Sequence, residues 1–303
     1  MNYNFSGFIW SPAIEFVNEI LEYINNKYPV LHFYTYEFTD INLYKISILD
    51  IYTTDDIDPE KVKNIKLKAM LLYPLKYTYF KFHIKEPNFR KKKQTGNDLS
   101  QTVEAIKKEI REKYKSKINN YIHDIIIHIT DNYEQTDDIE KIMKKYNSNR
   151  TDEYINLKYF LKYNFKNNIF NRADSLVRKY TIEQYIKDKN YSFDFYNKMQ
   201  TKRTNNNINY VEKFKKLIES ITKNNFNNNY PIKCSNNYLL IDGSHRLSYL
   251  LIIKPIFIKI EFMKWDNHLD YDINWFIDNK FNDKEIQIIK DKLTELNIFI
   301  SAP

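Results

Sequence analysis

The chain has one cysteine, three glycines and seven arginines in 303 residues, and the shortage of cysteine excludes most. Cys234 alone forms no internal disulfide, and with only six histidines it builds no Cys-rich zinc centre, so a disulfide scaffold and a zinc ribbon are both ruled out. No run of about 20 uninterrupted apolar residues occurs, which argues against a membrane span. The opening Met1-Asn2-Tyr3-Asn4 lacks the basic-then-apolar form of a signal peptide, so the expectation is a reducing, cytoplasm-like compartment, the host cytoplasm if the genome is viral. What is present is 43% hydrophobic and 28% charged residues, the composition of a folded chain long enough for two domains. Forty lysines against seven arginines, 26 tyrosines and runs of asparagine carry the mark of an AT-rich genome. The net charge of +8 is therefore weak evidence for nucleic acid, because the lysines are interleaved with Asp and Glu. Where glycine is this scarce, Gly7, Gly96 and Gly243 are expected where the backbone needs them.

Hydrophobic spacing predicts strands at 7–10, 30–38 and 77–84, and helices at 13–28, 42–52, 59–72 and 101–117, before a β-branched run at 125–130 and a helix at 137–146. That order, βαββαβ with extra helices, is compatible with a ferredoxin-like sandwich. The polar stretch 146–150 marks a boundary, giving domains 1–148 and 149–303. Beyond it, helical stretches are predicted at 153–163, 181–187 and 210–222. Strands are predicted at 231–233, 238–241 and 256–262, with helices at 244–252 and 284–296. The predicted class is α+β.

Two motifs carry chemistry. The strand Tyr238-Leu239-Leu240-Ile241 runs into Asp242-Gly243-Ser244-His245-Arg246 and then directly into an apolar helix. Strand, glycine and helix start suit a phosphate group, because the first N–H groups of a helix are free and carry partial positive charge. In this reading Gly243 and Ser244 approach the phosphate, Arg246 adds a planar fork, His245 a donor or proton shuttle, and Asp242 a metal or hydroxyl contact. The alternative is a plain helix cap, with Arg246 a solvated first-turn residue. In the other half, alternation along 125–131 places Ile126, His128 and Thr130 on one face of a strand. His123-Asp124 is an isolated HD pair that precedes a strand. The dense basic run 90–93 near Gly96 reads as a solvated hairpin tip.

The segment 214–262 resembles the ParB and sulfiredoxin superfamily, and its Asp-Gly-x-His-Arg version looks like that of the free serine kinases. The resemblance implies nucleotide (ATP or ADP) and Mg²⁺, a small hydroxyl-bearing acceptor and phosphoryl transfer at Asp242, His245 and Arg246. Gly243, Ser244 and Arg203 would be nucleotide contacts, Arg203 matching the arginine that ParB proteins carry before the helix, with Gln200 a second-tier candidate beside it; the alternative for Gln200 and Arg203 is a solvated helix end. Ser244 stands where sulfiredoxin has cysteine, so that redox chemistry is not carried over. The catalytic glutamate of the serine kinases falls on Arg203-Thr204-Asn205-Asn206-Asn207, and the base is left unassigned, with Glu212 and Asp194 as remote alternatives. His128-x-Thr130-Asp131-x-x-Glu134 is similar to the active-site stretch of nucleoside diphosphate kinases, with Arg111 matching an upstream arginine. Ser11 in place of that family's lysine implies a degenerate domain. The rival reading is a nucleotide-gated, nucleic-acid-associated module in the manner of ParB.

Overall fold

In the computed structural model the described residues are 2–55, 57–93, 95–119, 121–122, 124–204, 210–224, 230–264 and 269–302, so His123 and the 205–207 stretch lie outside them. The chain is mixed α/β and divides into two compact units, Met1–Tyr154 and Ile155–Pro303. The turn Asn147–Asn149 precedes the strand Arg150–Asn156, along which the division falls. Among the described residues no helix is long and apolar enough to cross a membrane.

In the first unit the strands Asn2–Ile9, Val30–Glu37, Lys76–Lys85 and Ile127–Ile129 form one sheet. Asn2–Ile9 lies antiparallel between Lys76–Lys85 and Ile127–Ile129, and Val30–Glu37 pairs antiparallel with the outer side of Lys76–Lys85. The helices between these strands are amphipathic, as their spacing predicts. Val17–Asn25 buries Ile20, Leu21 and Ile24, and Gln101–Tyr114 buries Val103, Ile106, Ile110 and Tyr114. Ser100 starts the latter helix by accepting the Val103 N–H at 3.3 Å. The core cluster that includes Phe8, Trp10, Tyr77 and Tyr79 is aromatic, with Phe8 and Trp10 stacked at 5.3 Å between ring centres. Burying each such side chain contributes about 1.5 to 3 kcal/mol. Gly7 is explained by close approach: it faces Phe80 across the strands, and a Cβ would sit 2.3 Å from the ring. The basic run expected as a hairpin tip is in part the strand Phe89–Lys91, paired antiparallel with Asp98–Ser100.

The second unit has a three-stranded mixed arrangement. Ile232–Cys234 is antiparallel to Leu240–Asp242 and parallel to Phe257–Phe262. The helix Ser244–Ile253 follows the second of these strands and packs on the helix Ala173–Lys187. That latter helix was expected only over 181–187. It buries Asp174, Ser175, Arg178, Lys179 and Thr181 as well as its apolar residues, so it lacks the polar outer face that gives a surface helix its period. The expected helical stretch 153–163 is extended as far as Asn156, whose side chain accepts the Lys158 N–H and starts the helix Leu157–Tyr163.

Candidate functional site

The 242–246 turn has the local geometry its residues require. Gly243 adopts φ +104°, a left-handed conformation in which an L side chain is strained, and a Cβ there would lie 3.0 Å from Ile232 Cδ1 and 3.3 Å from Arg246 Nε. The room kept free by the glycine is thus occupied by Ile232 and by the Arg246 side chain. No side chain caps the first turn of Ser244–Ile253. Asp242, two-thirds exposed, accepts the Gly243 N–H at 2.7 Å and faces Arg246 at 3.3 Å, while Arg246 also donates to Pro231 O at 2.6 Å. His245 is packed against Phe214, and its Nε2 lies 3.0 Å from the Tyr196 hydroxyl. Burial, reinforced by Arg178 and Arg203, holds His245 well below its usual pKa, so the ring is neutral at pH 7.

Beneath this turn lies a polar network across four elements. Arg172 donates in a bidentate manner to Asp174, with Nε to Oδ1 and Nη2 to Oδ2 both at 3.0 Å, and it also bonds Leu240 O and Ser244 Oγ. Arg178, one turn beyond Asp174, reaches its Oδ2 at 2.7 Å, and Arg203 approaches the same oxygen at 3.5 Å. Gln200 Oε1 accepts from both Arg178 and Arg203 at 2.9 Å. The Arg203 guanidinium covers the Tyr271 ring at 4.1 Å. Burial pushes the Asp174 carboxyl up, but Arg172, Arg178 and Arg203 outweigh it and hold the group far below the usual carboxylate range. Burial draws Arg178 down to about 10, which leaves it charged at pH 7. Arg203, Gln200 and Ser244, all taken from the sequence, therefore belong to one network with Arg172, Asp174 and Arg178. Of the alternative bases, Asp194 is exposed and Glu212 is exposed and paired with Lys215.

In the first unit, His128 is 5% exposed and ringed by Tyr52, Phe8 and Trp10 at 5.0, 6.2 and 6.4 Å. Its Nδ1 is 3.9 Å from Asp55, and its buried Nε2 has no hydrogen-bond partner. Burial, then Lys107, lowers its pKa to about 3. Of the residues grouped with it by sequence, Asp131 and Arg111 lie close enough to act on its charge, but each of the grouped side chains has partners of its own. Thr130 Oγ1 bonds Thr136 and the Ser6 backbone, and Arg111 bonds Ile127 O and pairs with Asp124. Asp131 is held by Lys92 and Lys107, while Glu134 is exposed and meets the neighbouring Tyr133 hydroxyl. Ser11, in the place of the family lysine, spends its hydroxyl on Tyr44 and Lys76 O.

Sequence reasoning passed over Arg172, Asp174, Arg178, Tyr196 and Tyr271. A usable signal existed: the scarcity that singled out the glycines applies equally to arginine, and four of the seven arginines lie in 172–246. Among the described residues no group of three or more His, Cys, Asp or Glu side chains is placed to hold a metal ion. No family model, curated protein or solved structure matches the chain.

Proposed function

We propose that the second unit binds a nucleotide through its phosphates and transfers or hydrolyses a terminal phosphate at Asp242-Gly243-Ser244-His245-Arg246. The observation that carries this reading is the uncapped, glycine-led start of Ser244–Ile253 backed by the buried Arg172, which bonds Ser244 directly. The amides of Ser244, His245 and Arg246 would receive phosphate oxygens, and Arg246 would add charge by exchanging Asp242 for the ligand. The neutral His245 ring, hydrogen-bonded to Tyr196, would serve as a hydrogen-bonding partner that orients an acceptor hydroxyl or water, since burial and the neighbouring guanidiniums oppose its protonation. Asp174 is excluded as a base, because three guanidiniums hold it ionised. Asp242 would hold a magnesium ion, which would supply charge neutralisation to the phosphates. One exposed carboxylate suits an ion that arrives with its nucleotide.

In this reading the second unit is ParB/sulfiredoxin-like, supported by the order helix, strand, strand, helix, strand across 210–262. The first unit is a ferredoxin-like domain related to nucleoside diphosphate kinases, supported by the all-antiparallel order of its four main strands. It is degenerate, since the buried His128 and the engaged Ser11 leave no phosphate clamp.

The test is a thermal-shift screen of nucleotides with and without magnesium, followed by product analysis of any hit. Arg246→Ala should weaken nucleotide binding about ten- to hundredfold, and Arg246→Lys should recover only part of it. Unchanged affinity in both Arg246→Ala and Gly243→Val would reduce the turn to a helix cap. The nucleic-acid module becomes the better account if DNA affinity falls steeply with salt and no phosphorylated product forms.

A further inference from the structure

In a chain with forty lysines, three of the seven arginines meet at one buried carboxylate. Asp174 is fully buried and Arg178 is 1% exposed, whereas the Arg203 side chain is 16% exposed and forms the accessible edge. Three guanidiniums share one carboxylate, so among the described residues two positive charges remain over. Burying an ion without its counter-charge is strongly unfavourable, and a carboxylate that only neutralised its surroundings would need one arginine. Neither is the hydrogen-bonding capacity used up: Nε of Arg178 and Nε of Arg203 are both buried with no partner. Gln200, itself 5% exposed, orients both guanidiniums through one oxygen, and Asp174 fixes the planes of Arg172 and Arg178. Planar forks held this way match the oxygens of phosphate better than point charges would.

We propose that Arg172, Arg178 and Arg203, organised by Asp174 and Gln200, form a binding site for a doubly charged phosphate group. This site rests on the charge count and does not require phosphoryl transfer at the 242–246 turn. The phosphate is either one of the nucleotide's own or one carried by the acceptor. Asp174 and Gln200 are positioning residues, and Arg203 is the group a ligand meets first.

The test is calorimetric titration of the full chain with inorganic phosphate, alongside its melting temperature in phosphate and in chloride of equal ionic strength. Saturable binding is expected, with stabilisation by phosphate beyond that by chloride. Arg203→Gln should weaken it about tenfold or more, and Arg178→Lys, which keeps the charge but loses the fork, should weaken it too. Lys107→Gln in the first unit should leave it unchanged. A melting temperature that responds to phosphate no more than to chloride overturns the proposal, as does wild-type affinity in both arginine variants. Displacement of phosphate by ATP would assign the group to the nucleotide, and simultaneous binding would assign it to the acceptor. If phosphate binds but no nucleotide does, this site stands and the phosphoryl-transfer reading falls.

Discussion

Around His128, in the first unit, the carboxylates Asp55, Asp124 and Asp131 each meet a cation, and the buried Lys66 lies over the Tyr52 ring at 5.7 Å. Lys107 reaches Asp131 at 2.7 Å, Lys92 lies between Asp131 and Asp55 at 2.8 and 3.9 Å, and Arg111 meets Asp124 at 3.4 Å. Around His245, in the second unit, Arg172, Arg178 and Arg203 share Asp174 alone among the described residues. Both histidines are neutral, yet the buried His128 has an unpartnered Nε2 among aromatic rings and the half-buried His245 is tied to a tyrosine hydroxyl beside the arginine cluster. Among the described residues around His128 no carboxylate is shared by more than two cations, whereas around His245 three guanidiniums share one. What differs between the two clusters is how many cations share one carboxylate, and under the phosphate proposal that number, more than the presence of a histidine, marks the second cluster as the place for a ligand.

Substitutions in each cluster test this difference directly. The largest effect is expected from Asp174→Asn, which leaves three clustered guanidiniums without their carboxylate and should cost about 3 to 5 kcal/mol in urea unfolding. Asp131→Asn, its counterpart in the first unit, should cost about 1 to 3 kcal/mol, and equal losses would erase the difference between the two networks. Gly7→Ala, which drives a Cβ into the Phe80 ring, should cost about 1 to 3 kcal/mol by overpacking without altering nucleotide or phosphate binding.

The pH dependence separates the histidines from the arginines. His128 has a folded pKa of about 3, below its value in an unfolded chain, so between those values the unfolded chain binds more protons. Stability from this group is therefore complete above about pH 6.5 and declines as pH falls toward 3. His128→Phe should flatten the fall of melting temperature between pH 6.5 and 5, by at most about 1.4 kcal/mol per pH unit. His245→Asn should act in the same direction. An unaltered acid profile in both variants would place the acid sensitivity elsewhere. The smallest effect belongs to Arg90→Ala: its pair with Glu104 is exposed, and the loss should stay below about 1 kcal/mol, with no change in any binding curve.

Much of the secondary structure was legible because it is periodic. Gln101–Tyr114 and Tyr210–Asn224 show their apolar stripes in the sequence, and the glycine between Leu240–Asp242 and Ser244–Ile253 announces a turn that only a residue free to take positive φ fits comfortably. Ala173–Lys187 was legible only in its last turns, since burial on every side removes the contrast between faces on which periodicity depends. The same helix carries Asp174 and Arg178, so the missed element and the missed half of the candidate site share one cause.

By itself the sequence determined the scarcity of glycine and arginine, the periods of the amphipathic helices and the strand-glycine-helix turn, all of which depend on neighbours a few residues apart. Only the tertiary structure decided that Arg172 reaches Ser244 across 72 positions, that Arg178 meets Gln200 across 22, and that His128 loses its charge inside an aromatic core. Those outcomes depend on desolvation and on the pairing of distant charges. Both are set by the path of the chain through space, on which local propensity has no hold.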